Sequence, residues 1–382
     1  MRGLRSLAGD ADLKRMPWYL PLGALALCAV GVAFVWSAAS PELARKQLFF
    51  GVVGCAVFVA IAFFDYRHLA GATLPLYLLG LLTLVGLFTP LAHEANNARR
   101  WYDLGFVMAQ PSEVVKLLFV MALADYFRFQ HRLDRLRDLV LPLLMAGVPM
   151  VLIARQPDLG TALLFMPVFF AMAFLAGAKV RNLGILLLGG CVLAVGIWFS
   201  PVGLKDYQRE RVLAFLEPDR RLGTTDVETP AAYNSRQAMS AIMSGGVEGQ
   251  GWGRGVLNRL KRVPERHTDF IFPVIAEEWG FLRTAPFVCI YLFLTIALGL
   301  LAGREKDPFG RLIVGGVLVL FAFQSLLHMA IALRLAPITG LTLPLVSYGG
   351  SSLVSTFAGL GLAASVRMHA GDDLFLAHVT DR

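Results

Sequence analysis

The chain has 382 residues, 57% of them hydrophobic and only 16% charged. Its mean hydropathy is +0.63. Soluble globular domains carry about 25% charged residues, so that class is excluded and a polytopic membrane protein is indicated. The net charge of +8 does not point to nucleic acid, because Lys and Arg in a membrane chain set topology and meet anionic lipids.

The start, "MRGLRSLAGDADLKRMPWYL", is basic and runs into an apolar segment without a small-residue cleavage site. It reads as a tail, residues 1–16, followed by a retained first span. A span needs about 20 apolar residues. On that criterion the spans fall at 17–38, 46–64, 70–91, 112–128, 139–154, 158–177, 183–200, 271–302, 311–333 and 344–366. Arg283 and Pro286 are expected to break the long 271–302 stretch. Residues 17–370 form one all-α membrane domain with a large loop at 201–270, and 371–382 form a second tail. The cysteines Cys28, Cys55, Cys191 and Cys289 lie far apart in apolar stretches without His or Cys neighbours, which leaves packing as their role.

Basic residues orient the spans. With a cytoplasmic N-terminus, the inner short segments hold Arg2, Arg5, Lys14, Arg15, Arg67, Arg128, Arg132, Arg135, Arg137, Lys179, Arg181, Arg304, Lys306, Arg311, Arg367 and Arg382. The outer ones hold only Arg45, Lys46, Arg99, Arg100, Arg155 and Arg334. Both termini are therefore expected inside. "NNARRWYDLGFVMAQPSEVVK", "ARQPDLGTA", the loop ending in "ERHTDF" and "LAPITGLTLPLVSYGGSS" then converge on the outer face.

The candidate chemistry follows from that convergence. In "RVPERHTDFIFPVIAEEWG", Pro273 belongs in a helix's first turn, which puts Asp269 just before the helix. There it either interacts with the helix N-terminus, worth about 1 kcal/mol, or serves a site. Glu277 lies two turns further on, with Glu278 turned about 100° away. Charges at that depth cost a few kcal/mol unless paired or hydrated, and by default mark a functional cavity.

Glu113 and Lys116 are spaced to pair along one helix face. Arg100, Arg155 and Asp158 sit at helix mouths, where an Arg is also suited to anchor on lipid phosphate. Arg254, Arg259, Lys261, Arg262 and Arg266 make a basic stretch suited to a pyrophosphate head group. "SGGVEGQGWGRG" lacks the Lys-Ser/Thr of a phosphate-cradling loop. "SYGGSS" fits tight helix packing at least as well as binding. His267 and His328 have no metal-ligand spacing.

Together "RRWYDLGFVMAQPSEVVK", "QPDLGTAL", "YQRERVLAFLEPDRRLG", "NSRQAMSAIMSGGVEGQGWGRG", "PERHTDFIF" with "AEEWG", and "PITGLTLPLVSYGGSS" resemble the shape, elongation, division and sporulation family of membrane proteins. They follow the family's order through nearly the whole chain, with tails closer to its RodA branch than to FtsW. Pro273, His328 and Arg334 depart from the family pattern.

The resemblance implies a glycosyltransferase of the bacterial cytoplasmic membrane. It polymerises lipid II on the outer face, releases undecaprenyl diphosphate, and works beside a class B penicillin-binding protein and other elongation-complex membrane proteins. By the same resemblance Asp269 is the essential aspartate, and Glu113, Lys116 and Arg100 are site residues. On that footing Asp269 is expected to act as the base. Arg100, Lys116, Arg254, Arg262 and Arg266 would stabilise the departing pyrophosphate. Glu113 and Glu277 would orient Lys116 or hold a divalent ion, Mg or Mn, with no other cofactor implied. A lipid II flippase and an FtsW-type division paralogue are the alternatives.

Overall fold

Every apolar segment expected from the sequence forms a helix in the computed structural model of the protein. The structure describes residues 12–90, 92–95, 98–103, 105, 107–130, 133–200, 206–217 and 229–370. The 371–382 tail, most of the first tail, and Arg2, Arg5, Arg132 and Arg382 lie outside the described residues. The helices are α1 Tyr19–Ala38, α2 Pro41–Phe63, α3 Thr73–Gly86, α4 Pro111–Arg128, α5 Val140–Arg155, α6 Leu159–Leu163, α7 Phe165–Leu175 and α8 Val180–Phe199. After them come α9 Asp206–Leu216, α10 Pro230–Gly245, α11 Val256–Arg259, α12 Ile271–Arg304, α13 Pro308–Ala332 and α14 Gly350–Met368. Among the described residues six helices are long and apolar enough to cross a membrane, α5 being counted with the short turn before it as Leu136–Arg155, and the shorter Thr73–Gly86 and Leu159–Leu175 stretches are apolar too. The fold is an all-α polytopic membrane architecture.

Several helix starts are written in the sequence. Ser40, Thr229 and Asp307 each precede a proline, and each side chain accepts from backbone amides of the first turn of α2, α10 or α13. A capping oxygen answers the unpaired amides, and proline's fixed φ suits the first helical position. The most enclosed long helix is α13, packed among α12, α4, α7 and α14. Alongside it α14 lies on α2, where Gly361 faces the Phe58 backbone and Gly54 faces the Phe357 ring. Small residues let helices approach closely where lipid supplies no hydrophobic drive. At the rim α8 is largely uncovered by protein, as a lipid-facing helix would be.

Four features depart from the sequence reading. A small antiparallel sheet, β1 His93–Ala95, β2 Ala98–Asp103 and β3 Met108–Ala109, links α3 to α4. Among its described residues the 201–270 connection holds three helices, of which α10 packs on α12 and α13. Its buried stripe is small (Ala238, Ala241, Gly245), and a Cβ on Gly245 would overlap the Ala276 carbonyl.

The break in α12 is also displaced: it falls at Gly280 (φ 66°) and not at Arg283 or Pro286. The glycine-rich loop explains the position. Gln250 and Gly251 donate to the Glu277 and Glu278 carbonyls at 3.0 and 2.9 Å, while Phe281 and Leu282 donate to Gly246 and Val247 at 2.9 and 3.0 Å. These bonds replace helical ones lost at the kink. A Cβ on Gly280 would overlap the Gly249 amide, so only glycine fits there. The segment expected to span from 344 likewise starts its helix only at Gly350. Residues 333–349 instead form an irregular strap across the bundle.

Candidate active site

The C-terminal ends of α1, α3, α5 and α13 meet the N-terminal ends of α2, α4, α12 and α14 at one end of the bundle, called the loop end below. Asp269 stands there. Phe270, not Asp269, is the N-cap of α12, and it makes no side-chain cap bond. Its position is set by its predecessors: Tyr348 N donates to the His267 carbonyl at 2.8 Å, and Ser347 Oγ donates to the Thr268 carbonyl at 2.6 Å. Gln47 on α2 holds the Ser347 carbonyl at 3.0 Å. Gly340 of the strap faces the carboxylate, where an added Cβ would lie 3.4 Å from Oδ2.

Burial pushes the Asp269 pKa up to about 7, with the negative charges of Glu265 and Asp158 adding to the rise and Arg211 and Thr268 opposing it. A carboxylate removed from water disfavours its charge and gains basicity. Burial also holds the neighbouring His267 below its ordinary value. His267 is therefore largely neutral near pH 7 and adds little positive charge beside Asp269.

Glu277 and Glu278 are fully buried but differently satisfied. Glu277 accepts from the Leu257 and Asn258 amides at 2.7 and 3.1 Å, which caps α11. Glu278 accepts from Ser37 Oγ at 2.5 Å, Gly253 N at 2.8 Å and Asn258 Nδ2 at 2.8 Å. Both carboxylates thus tie the glycine-rich loop and α11 to α12 and α1. Arg266 belongs to the same knot, donating to the Ala38 and Asn258 carbonyls. Arg254 and Arg262 stay exposed, as does Lys261.

The other expected residues hold the frame. Arg100 on β2 donates from Nε to the Gln156 carbonyl at 2.9 Å and from Nη2 to the Pro157 carbonyl. It pins the turn immediately before Asp158, whose carboxylate caps α6 and accepts from Gln110 at 3.2 Å. Glu113 and Lys116 are buried and paired at 3.0 Å. From there Lys116 Nζ reaches Gln324 Oε1 at 3.2 Å, and Gln324 Nε2 reaches the Thr342 carbonyl at 3.0 Å. The pair thus fastens the strap that carries Gly340, and Lys116 does not open on the loop-end surface.

Glu113 and Glu277 sit in separate networks, with Lys116 on one and backbone amides on the other, so a Mg or Mn ion held between them does not fit. Among the described residues no group of three or more His, Cys, Asp or Glu side chains is arranged to hold a metal.

Sequence reasoning missed Gln47, Ser347, Tyr348, Gly340 and Arg211. The signal for the strap was present in "PITGLTLPLVSYGG", where proline and glycine interrupt an apolar run too often for a helix. Gln47 carried no signal, since it looks like an ordinary polar residue of a helix flank, and Arg211 stood within a family stretch that gave it no role. His328 and Arg334 are accounted for in part. His328 Nδ1 bonds the Leu341 carbonyl at 2.7 Å, holding the strap, and Arg334 takes positive φ (58°) at the turn leaving α13.

A family model described as cell cycle protein, FtsW/RodA/SpoVE, matches residues 19–371. The peptidoglycan glycosyltransferase MrdB of Escherichia coli K12 is 32% identical over 348 residues, covering 90% of this chain and 91% of its own. The probable peptidoglycan glycosyltransferase FtsW of Bacillus subtilis is 32% identical over 378 residues, covering 93% and 91%. Among solved structures, a chain from work described as "Structural coordination of polymerization and crosslinking by a peptidoglycan synthase complex" matches with a TM-score of 0.81 at 35% identity, covering 94% of this chain and 99% of that one. Rod shape determining protein RodA of Thermus thermophilus matches with a TM-score of 0.69 at 30% identity, covering 94% and 98%.

Proposed function

The chain belongs to the FtsW/RodA/SpoVE family of cell cycle proteins, and from that membership we propose how its loop end extends a glycan strand. It is a peptidoglycan glycosyltransferase. Lipid II is the substrate, presented with its sugars at the loop end. Asp269 takes the proton of the acceptor's sugar 4-hydroxyl as the oxygen attacks the anomeric carbon of the growing chain. The bond from that carbon to the diphosphate oxygen breaks, and undecaprenyl diphosphate leaves with its electron pair. A carboxylate whose pKa lies near 7 matches a general base working at neutral pH.

The exposed Arg254 and Arg262 face the departing diphosphate, where oriented cations stabilise developing charge. Arg100, Glu113, Lys116, Glu277 and Arg266 position the base and its walls without touching the reacting atoms. The protein sits in the bacterial cytoplasmic membrane with both termini inside and the loop end outside, which the asymmetry of its short-loop Lys and Arg residues supports. Likeness to the synthase-complex chain supports a crosslinking partner, read here as a class B penicillin-binding protein, and likeness to RodA supports a role in elongation.

The single observation that carries this reading is an aspartate of raised pKa at the convergence of α12, the strap and α6. Purified Asp269→Asn protein, folded and bound to its partner, is expected to polymerise lipid II roughly 10²–10⁴-fold more slowly than wild type. Wild-type rates from that variant would overturn the assignment.

A further inference from the structure

At the end of α12 far from Asp269, a groove of about 210 Å³ opens between α12, α1 and α14. Its wall is the apolar face Phe293, Ile296 and Leu300, ending at Arg304. Arg367 comes from α14 and Tyr19 from α1. The Tyr19 ring meets Phe293 edge-on at 6.2 Å, and both guanidinium charges act on its hydroxyl. Neither Arg304 nor Arg367 has an ion pair or side-chain hydrogen bond among the described residues. Glu305 also lines the groove, near enough to feel the Arg367 charge, and its carboxylate accepts from the Lys306 and Asp307 amides at 3.1 and 3.2 Å. Two arginines thus meet one carboxylate at a mouth whose interior is hydrocarbon.

We propose that this groove is a binding site for an anionic phospholipid of the leaflet opposite the catalytic end, with its phosphate on Arg304 and Arg367 and one acyl chain along Phe293, Ile296 and Leu300. Length supports the assignment. From Phe293 to Arg304 the helix rises about 16 Å at 1.5 Å per residue, which is half of a hydrocarbon core about 30 Å thick. The groove therefore runs the depth of one leaflet. Phe293, Ile296 and Leu300 are each more than half exposed, so the wall opens sideways to lipid. Tyr19, with the exposed Trp18 beside it, stands at the level where aromatic residues meet headgroups. The fork geometry of arginine suits phosphate oxygens better than a point charge does.

Native mass spectrometry of the full-length protein tests this, with phosphatidylglycerol or phosphatidylcholine of identical chains added. Wild type is expected to retain one phosphatidylglycerol in preference to phosphatidylcholine. The Arg304→Ala/Arg367→Ala double variant is expected to lose roughly tenfold or more of that preference. The Arg304→Lys/Arg367→Lys protein should keep part of it, which separates loss of charge from misfolding. Ile296→Trp, which fills the groove and leaves both arginines, should also reduce retention. Equal retention of the two lipids by wild type would overturn the proposal. So would phosphatidylglycerol retention unchanged by Ile296→Trp, which would mean surface charge alone. Preference appearing only after residues 371–382 are removed would assign the groove to the chain's own tail and also overturn it.

Discussion

Asp269 and the Glu277–Glu278 pair stand on one continuous segment, two helical turns apart, and have opposite surroundings. The glutamates are fully buried and accept from amides, a hydroxyl and a side-chain amide that hold α11 and the glycine-rich loop in place. Asp269 is half-buried and faces Gly340, and that burial, with the charges of Glu265 and Asp158 adding to it, raises its pKa. Depth in the membrane end is therefore a poor guide to chemistry, because a deep carboxylate with satisfied oxygens is a structural fastening. A shallower one that faces a glycine of the strap is left open to a substrate's proton.

The largest effect that sharpens this contrast lies in the buried pair below the strap. Lys116→Met strands Glu113 without its cation and is expected to cost about 3–5 kcal/mol of stability. Glu113→Gln/Lys116→Met should recover a good part of it, read as melting temperature in detergent. If Lys116 instead touched the diphosphate, the double variant would fold well and still bind lipid II with sharply reduced affinity.

Next in size is Glu278→Gln, which loses the charge that answers Ser37, Gly253 and Asn258. About 1–3 kcal/mol of stability should go, with the pH midpoint of polymerisation unchanged. A moved midpoint would mean that Glu278 takes part in the proton transfer.

Stability against pH separates the two stations further. The folded pKa of Asp269 is raised from 3.8 to about 7. Its contribution to stability is therefore fully present below the unfolded value near 4 and is lost as pH rises through about 7. Asp269→Asn removes that loss, so the variant should melt higher than wild type at pH 8, with the gap closing toward pH 4. Equal melting temperatures at both pH values would contradict the raised pKa.

The smallest expected change comes from the exposed cations. Arg254→Ala/Arg262→Ala should lower kcat for lipid II polymerisation a few-fold in low salt and less in high salt, since exposed charges are screened and the charge they answer develops as the diphosphate leaves.

The same contrast explains how far the sequence could be read. Helices were legible because long apolar runs act locally, whereas the Ser-Pro, Thr-Pro and Asp-Pro starts of α2, α10 and α13 went unread. The place of Asp269 just before α12 was legible because Pro273 fixes where the helix can begin, while its role as base is a proposal that the family resemblance suggests. The Gly280 kink was not, because its cause lies some thirty residues upstream in the loop that pairs with it across the break. Arg100 and Arg266 looked like phosphate ligands in sequence, and only the fold reveals that backbone carbonyls take their guanidinium groups. The surroundings of Glu277 were hidden for a related reason. Its partners, the amides of α11, sit in a segment that composition alone described as a basic loop.

The most direct test of the central claim is the pH–rate profile of lipid II polymerisation by the wild-type protein with its crosslinking partner, measured beside Glu277→Gln. Both rates should rise through a midpoint near 7 and level off above it, as expected for a single base that must lose its proton. A wild-type profile that is flat or falling across that range, or a midpoint that moves in Glu277→Gln, would contradict Asp269 as the base.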